Sequence, residues 1–365
     1  MERRSISQFL DAPEVRQPPV HHHRPPRHDA SRQMNAAANF PDNEFMAVGG
    51  ASYPIPETGS ASEGIVREFT DALAKDTDIA VAVAVIKALV SVVRRSTATT
   101  MMGLEKDLKV AAAQLERCNE TAISLKAACE LFLRYTTRTS ALETEDFQDA
   151  KSRIIERGNF FAETSIRARQ TIAELGARFI RPGALVLVHG YSRVVLALLR
   201  KAVSEDKVFS VILTEGRPDE TGRVMARALS ELKVPIKVIL DSAVAFALEA
   251  FEVDMVLVGA EGVVENGGVI NKLGTYNIAI AAKAHNIPFY VASESYKFAR
   301  LYPLNQNDLP LERKPVDFGP LMPATVKIEN PSRDYTPPKF ISLLFTDLGV
   351  LTPAAVSDEL IQLYV

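Results

Sequence analysis

The sequence contains no tryptophan and only two cysteines, Cys118 and Cys129, in 365 residues. Two cysteines cannot form the disulfide framework of a small secreted domain, so we expect a reducing compartment. No repeated His/Cys spacing of the type that binds zinc is present, and no metal site is predicted. We interpret the two thiols as small buried side chains in helices.

An excess of charge is also lacking, since 42 Lys and Arg face 45 Asp and Glu for a formal net charge of −3. This balance argues against a surface that binds nucleic acid directly. The most apolar run, residues 79–93, contains Lys87 and is too short to span a bilayer. The N-terminal residues lack the apolar segment of a secretory signal. We therefore expect a cytoplasmic protein that contacts neither membrane nor nucleic acid.

Residues 1–60 contain many prolines and histidines and few large apolar side chains. Such a segment buries too little surface to offset its chain entropy, so we predict a disordered tail. The tract HHHRPPRH is interpreted as part of that solvated tail, with loose metal binding as the alternative. A transit peptide is a further alternative, although the acidic residues Glu2, Asp11 and Glu14 argue against it.

Two patterns divide the remainder of the chain. Residues 61–180 repeat apolar side chains every three or four positions, as at Leu104, Leu108 and Leu115, which predicts a helical domain. From residue 181 to 365, short apolar runs alternate with amphipathic segments, which is typical of βα units around a buried parallel sheet. We predict an α/β protein with an N-terminal helical domain followed by a Rossmann-like doubly wound parallel-sheet domain. The predicted sheet strands are residues 184–188, 208–213, 236–240, 255–258 and 287–291.

The residues after the fourth predicted strand suggest an anion site. Glu261 follows the strand, Asn266 and two glycines predict a tight turn, and Asn271, Lys272 and Thr275 lead into the next predicted helix. An ammonium, an amide, a hydroxyl and free helical N–H groups together suit a phosphate. The alternative is an ordinary turn followed by a solvated helix start.

The first predicted strand is followed by His189, Gly190, Tyr191, Ser192 and Arg193. Ligands of open α/β sheets bind outside the carboxyl ends of the strands, so this loop and Glu261 are expected to border one pocket. No G-x-G-x-x-G follows the strand, which argues against a dinucleotide oxidoreductase. We interpret His189 as a packed, hydrogen-bonded histidine, because no Ser/His/Asp arrangement supports it as a base.

Four long segments carry a family resemblance: HGYSRVVLALL, GAEGVVENGGVINKLGT, ASESYKFARLYPLNQNDLP and LLFTDLGVLTPAAVSDELIQLY. Together they resemble the family of alpha subunits of eukaryotic translation initiation factor 2B, over about residues 62–365. The wider superfamily includes methylthioribose-1-phosphate and ribose-1,5-bisphosphate isomerases, with a helical N-domain and a Rossmann-like C-domain.

The resemblance implies a regulatory, non-catalytic subunit of the guanine-nucleotide exchange factor for initiation factor 2. It implies a homodimer through the C-terminal domain, which the apolar segment 340–365 also favours, and partners in the beta, gamma, delta and epsilon subunits. It further implies that the helical domain helps to sense the phosphorylated alpha subunit of initiation factor 2. Arg94 and Arg95 are candidate contacts, because guanidinium groups suit bidentate phosphate binding.

The rival function is an aldose-ketose isomerase acting on a sugar phosphate. The resemblance places the cysteine of the related isomerases at Gly190 and their catalytic aspartate at Glu261. Without the thiol and with a longer carboxylate arm, we expect no turnover and no catalytic residue.

The resemblance also matches Asn271 and Lys272 to phosphate contacts in the isomerases. We therefore predict a retained pocket for a sugar phosphate or nucleotide that is bound but not consumed, with no other cofactor. The alternative is a pure scaffold whose polar strand ends contact other subunits. The predicted ligand-binding residues are Tyr191, Ser192, Arg193, Glu261, Asn271 and Lys272.

Overall fold

The computed structural model describes residues 64–76, 79–118, 122–140, 146–309, 323 and 325–364. The predicted tail, residues 1–60, lies outside these ranges. No helix in the described ranges is long and apolar enough to cross a membrane.

The first part of the described chain is helical. Apolar side chains of these helices form one core, to which Ile86, Leu104 and Leu125 contribute fully buried side chains. The second helix is buried on nearly all sides, as its Val- and Ala-rich sequence indicates. The helices are α1 (Ile65–Lys75), α2 (Val81–Arg95), α3 (Met101–Cys118), α4 (Ile123–Ser140) and α5 (Phe147–Ala177).

Strands and helices then alternate along the chain. The strands are rich in Val, Leu and Ile because their side chains are buried on both faces of the sheet. The elements are β1 (Leu185–His189), α6 (Arg193–Ser204), β2 (Ser210–Thr214), α7 (Gly222–Glu231), β3 (Ile236–Ile239), α8 (Val244–Ala250), β4 (Met255–Gly259), β5 (Gly262–Val264), β6 (Val269–Lys272), α9 (Thr275–Ala284), β7 (Phe289–Ala292), β8 (Phe298–Ala299), β9 (Arg333–Thr336), β10 (Leu343–Thr346), β11 (Gly349–Leu351) and α10 (Ala355–Tyr364).

Seven of these strands form one sheet in the order β11-β10-β7-β4-β1-β2-β3. Its strand pairs are parallel except for the antiparallel pair of β10 and β11. The C-terminal part of α5 packs with α6 and α7 on one face. Helices α8, α9 and α10 pack on the other. The predicted fold class, a helical segment followed by a doubly wound, mainly parallel sheet, is confirmed.

A second sheet, in the order β8-β5-β6-β9, lies beyond the carboxyl end of β4. The turn between β5 and β6 contains Asn266 and Gly267 as expected, and Gly267 has a φ of +81°. The sheet packs on α4 through a small core that includes Ile123, Val264 and Ile270. The helical segment thus contacts the structure that follows β4.

The predicted domain boundary at residue 180 falls between α5 and β1. Helix α5 contributes Ile154 to the core of the helical part and Ile172 to a core of the α/β part. The division into two domains therefore stays a prediction.

Candidate functional site

Asn271 and Lys272 lie at the end of β6, paired with Asp334 and Arg333 of β9. Directly paired residues on antiparallel strands have neighbouring side chains, so this register brings two distant segments together. The sequence predicts that Asn271 and Lys272 lead into a helix, and both residues do precede α9. The structure adds that they form the end of a strand.

Four charged side chains form one ion-pair cluster at the end of β6. The Nζ atom of Lys272 lies 2.7 Å from Oδ2 of Asp219 and 3.3 Å from Oε1 of Glu261. The guanidinium of Arg333 contacts the other carboxylate oxygen of Glu261. Two cations and two carboxylates have no net formal charge, so an anion meets a balanced cluster rather than an excess of positive charge.

Burial raises the pKa of Glu261, but the neighbouring Arg333 and Lys272 outweigh burial and hold this pKa below its ordinary value. For Lys272, burial lowers the pKa, while Glu261 and Asp219 raise it more strongly, so the pKa is higher than usual. Each group therefore stabilises the charged form of the other.

The first turn of α9 is capped by Asp334. Its Oδ2 atom accepts hydrogen bonds from the backbone N–H groups of Gly274 at 2.8 Å and Tyr276 at 3.0 Å. The sequence predicts free helical N–H groups for an anion here, and for these two donors it is wrong, because a carboxylate of the chain accepts their bonds. Burial raises the pKa of Asp334 to about 7, while both N–H donors act to lower it.

Asn271 and Thr275 shape the segment between β6 and α9. The amide Nδ2 of Asn271 donates to Oγ1 of Thr275 at 3.0 Å, and this hydroxyl donates to the backbone oxygen of Lys272 at 2.7 Å. Both side chains are buried. Their hydrogen bonds hold the end of β6 against the start of α9 and thereby position the Lys272 backbone.

His189 lies at the end of β1 with its imidazole buried and bonded at both nitrogens. Nε2 lies 2.9 Å from the carbonyl oxygen of Leu273, and Nδ1 lies 2.7 Å from Oγ1 of Thr214. A carbonyl only accepts, so Nε2 carries the proton and Nδ1 accepts from the threonine hydroxyl. Burial lowers the pKa of His189, although nearby Asp241 acts in the opposite direction. The interpretation of His189 as a packed, bonded histidine is confirmed.

Tyr191, Ser192 and Arg193 do not all point to the Lys272 cluster. Ser192 caps α6 and lies against Gly259 at the end of β4, where a Cβ on the glycine would be 2.4 Å from the Ser192 Oγ atom. Tyr191 and Arg193 instead line a cavity of about 470 Å³ between α5 and α6. Arg193 donates from Nη1 to the carbonyl of Ile79 at 2.9 Å.

The six predicted residues thus fall into two groups. Glu261, Asn271 and Lys272 lie together, with Ser192 near the end of β4, whereas Tyr191 and Arg193 border the α5–α6 cavity. Ligand binding by these residues stays a prediction.

Gly190 has no room for a side chain. Its φ is +57°, and a Cβ built on it would lie 2.7 Å from Oγ1 of Thr221. The same hydroxyl accepts the backbone N–H of Tyr191 at 3.3 Å. The loop is therefore shaped around a glycine at the position where the resemblance places the isomerase cysteine.

The six predicted ligand-binding residues leave out three charged residues of the site. Asp219 is visible after the second predicted strand, but nothing in its neighbours shows that it contacts Lys272. Arg333 and Asp334 lie in a four-residue strand whose pairing with β6 is non-local. Arg333 and Asp334 are adjacent charged residues, and this is the only feature of the sequence that marks them as candidates for a site.

The sequence model of the Initiation factor 2 subunit family matches residues 74–353. The chain belongs to this family. The family relationship that the four sequence segments indicate is thereby confirmed.

Two relatives are named translation initiation factor eIF2B subunit alpha. The protein of Dictyostelium discoideum is 45% identical over 311 residues, covering 82% of this chain and 96% of the relative. That of Caenorhabditis elegans is 35% identical over 305 residues, covering 83% and 99%. A ribose 1,5-bisphosphate isomerase of Pyrococcus furiosus is 32% identical over 286 residues, covering 77% and 87%. The family therefore contains both named initiation-factor subunits and a named enzyme.

Solved structures have the same fold. The Pyrococcus horikoshii OT3 translation initiation factor eIF-2B superposes with a TM-score of 0.62 at 27% identity, over 81% of this chain and 98% of that one. A chain of the tetrameric eIF2B-beta2-delta2 complex of Chaetomium thermophilum superposes with a TM-score of 0.66 at 20% identity, over 84% and 96%. At that lower identity the likeness concerns the fold alone.

Proposed function

We propose that this chain is a non-catalytic regulatory subunit of the cytoplasmic guanine-nucleotide exchange complex for translation initiation factor 2. The observation that carries the proposal is 45% identity to a named alpha subunit across 96% of that subunit. Its role is to form the central homodimer and to join the beta, gamma, delta and epsilon subunits into one assembly.

Assembly is tested by native mass measurement of the purified chain, alone and mixed with the other four subunits. We expect a dimer alone and a complex with two copies of every subunit in the mixture. A chain that stays monomeric and separate from the other subunits would remove this part of the proposal.

The competing function is sugar-phosphate isomerisation, which the 32% identity to a ribose 1,5-bisphosphate isomerase favours. Against it stand the crowded, positive-φ backbone at Gly190 and the engagement of the Glu261 carboxylate by Arg333 and Lys272. A carboxylate held by two cations is a poor proton acceptor, because its pKa is lowered. We expect no turnover when the chain is incubated with ribose 1,5-bisphosphate, and enzymic conversion would overturn the non-catalytic proposal.

The proposal includes a retained pocket around Lys272 that binds a sugar phosphate or a nucleotide without converting it. Support comes from the proximity of Lys272, Glu261 and Asn271 at the edge of the sheet. A ligand at a hundred times its Kd stabilises the protein by about 2.7 kcal/mol, which a thermal-shift assay detects.

The pocket is tested by thermal shifts with ribose 5-phosphate and adenosine monophosphate. We expect the wild type and Lys283→Ala, which removes an exposed lysine of α9, to be stabilised, and Lys272→Ala to respond weakly. Equal shifts in the three proteins, or no shift in the wild type, would contradict a pocket at Lys272 and favour the scaffold alternative.

The helical part is proposed to contact phosphorylated initiation factor 2. Arg94 donates to Oδ1 of Asn159 at 3.3 Å, and Arg95 pairs with Glu68 of α1. Arg94→Glu and Arg95→Glu in the assembled complex are expected to weaken binding of the phosphorylated factor. Combining Arg95→Glu with Glu68→Arg restores the internal pair and the net charge, so binding that stays weak reports the loss of the arginine at position 95. Unchanged binding in both single variants would discard this placement.

A further inference from the structure

The loop between β2 and α7 brings a carboxylate of the chain to Lys272, the residue on which the proposed pocket centres. Asp219 Oδ2 is 2.7 Å from Lys272 Nζ, shorter than the 3.3 Å from that nitrogen to Glu261. The Asp219 side chain is 12% exposed and that of Lys272 is 32% exposed, so solvent screens this contact less than a surface ion pair.

The other members of the cluster have separate roles. Glu261 is shared between Lys272 and Arg333, and it keeps the arginine as a partner whatever Lys272 binds. When Asp219 is displaced, Lys272 keeps its longer contact with Glu261 and loses its shorter one. A phosphate oxygen would form the same kind of charge-assisted bond with the ammonium that the Asp219 oxygen forms.

The loop holds Asp219 between two fixed points. On one side, the backbone N–H groups of Gly216 and Arg217 donate to Asp241 at 2.9 and 2.7 Å. On the other, the N–H of Gly222 donates to the carbonyl of Glu215 at 3.0 Å. Between these anchors Glu220 adopts a left-handed backbone with φ of +52°. The geometry thus presents the Asp219 carboxylate to Lys272 from a loop that is closed at both ends.

We infer that Asp219 is an internal competitor for Lys272, which an anionic phosphate ester must displace in order to bind. This inference rests on the proposed pocket and adds the residue that sets its affinity. Binding requires Asp219 to leave the ammonium, so the observed affinity is the intrinsic affinity reduced by the fraction of molecules in which Lys272 is accessible. The competition is specific for charge: a phosphate ester is affected, whereas a neutral sugar does not compete for the ammonium.

Asp219→Asn tests the inference because it keeps the size of the side chain and removes its charge. We expect the Kd for ribose 5-phosphate, measured by titration calorimetry on the full chain, to fall about tenfold, the change that corresponds to about 1.4 kcal/mol. Binding of ribose, the uncharged probe, should not tighten.

The matched control is Glu220→Gln, which removes the adjacent carboxylate of the same loop. Glu220 pairs with Arg217 at 2.7 Å and Arg223 at 2.8 Å, not with Lys272. We expect its Kd for ribose 5-phosphate to stay within twofold of the wild type. Equal tightening in both variants would overturn the inference, since it would show a general effect of loop charge.

A double variant separates the inference from the pocket itself. With Lys272→Ala in place, Asp219→Asn should no longer change the Kd, because the two side chains act through one contact. If ribose 5-phosphate binding depends on Lys272 but Asp219→Asn leaves it unchanged or weakens it, the internal competition is wrong and the pocket stands. If neither the wild type nor Asp219→Asn binds the probe, both are wrong.

Discussion

Gly190 is the residue at which backbone conformation bears most directly on chemistry. A side chain here meets a positive φ, which costs roughly 1–2 kcal/mol for an L-residue, and the Oγ1 atom of Thr221 at 2.7 Å. A thiol at this position therefore requires a different loop path. The proposed absence of isomerase activity therefore has a basis in the backbone as well as in the choice of residue.

Gly190→Ala should lower the free energy of unfolding more than Gly183→Ala does. Gly183 also has a positive φ, +84°, but a Cβ there meets no atom within 4 Å. Gly183→Ala is the control, because it is destabilised only by the positive φ. Gly190→Ala adds a steric clash that costs roughly 1–3 kcal/mol of stability. Urea unfolding of both variants measures the difference, and equal destabilisation would show that the loop relaxes freely.

Asp334 gives the fold a pH dependence of its own. Its pKa is raised to about 7 by burial, above the ordinary value of 3.8. The folded chain therefore holds the Asp334 proton more tightly than the unfolded chain, and this contribution to stability is complete below pH 3.8 and lost as pH rises through 7. Asp334→Asn keeps an oxygen to accept from Gly274 and Tyr276 and removes the titration.

We expect the difference in unfolding free energy between Asp334→Asn and the wild type to shift in favour of the variant from pH 4 to pH 8. Denaturant unfolding across that range measures it. A difference that does not change with pH would show that Asp334 titrates normally in the folded chain.

Some of the elements that contact the site can be predicted from the sequence, and others cannot. The strand that ends before Glu261 and the Asn266 turn could be predicted, because an apolar run and an Asn-Gly-Gly turn are local signals. The four strands of the second sheet are at most four residues long, and β9 pairs with β6 across a long stretch of chain. No local pattern reports such a pairing, so Arg333 and Asp334 could not be placed.

Helix α5 is attached to the main sheet through a buried charge. Arg169 Nε lies 3.6 Å from one oxygen of Glu294, after β7, and Lys297 Nζ lies 2.8 Å from the other. Burial raises the pKa of Glu294, yet Lys297 and Arg169 outweigh it, and the pKa falls to about 2. The stabilisation is thus present above pH 4.5 and lost as pH falls towards 2.

Glu294→Gln should destabilise the fold by about 3 kcal/mol, because it leaves two cations near a neutral buried amide. Glu174→Gln, which neutralises an exposed carboxylate on α5, is the matched control and should change stability by less than about 0.5 kcal/mol. Thermal or urea unfolding at pH 7 measures the stability of both variants. A Glu294→Gln variant as stable as this control would mean that the charge does not hold α5 in place.

At the scale of the whole molecule, the sequence predicted the fold class because a helical period followed by βα alternation extends over long segments. It did not predict that the charges of the site balance one another. Predicted phosphate donors in α9 are engaged by Asp334, and Lys272 is engaged by Asp219 and Glu261. Such compensation depends on which loops meet in three dimensions, so it could not be predicted from local sequence.

The most direct test of the regulatory role is the rate of GDP release from initiation factor 2, catalysed by the other four subunits with or without this chain. With the chain, we predict that phosphorylation of the alpha subunit of initiation factor 2 strongly slows exchange. Without it, phosphorylated and unphosphorylated factor should be exchanged at similar rates. The same inhibition in the presence and absence of the chain would contradict the proposed function.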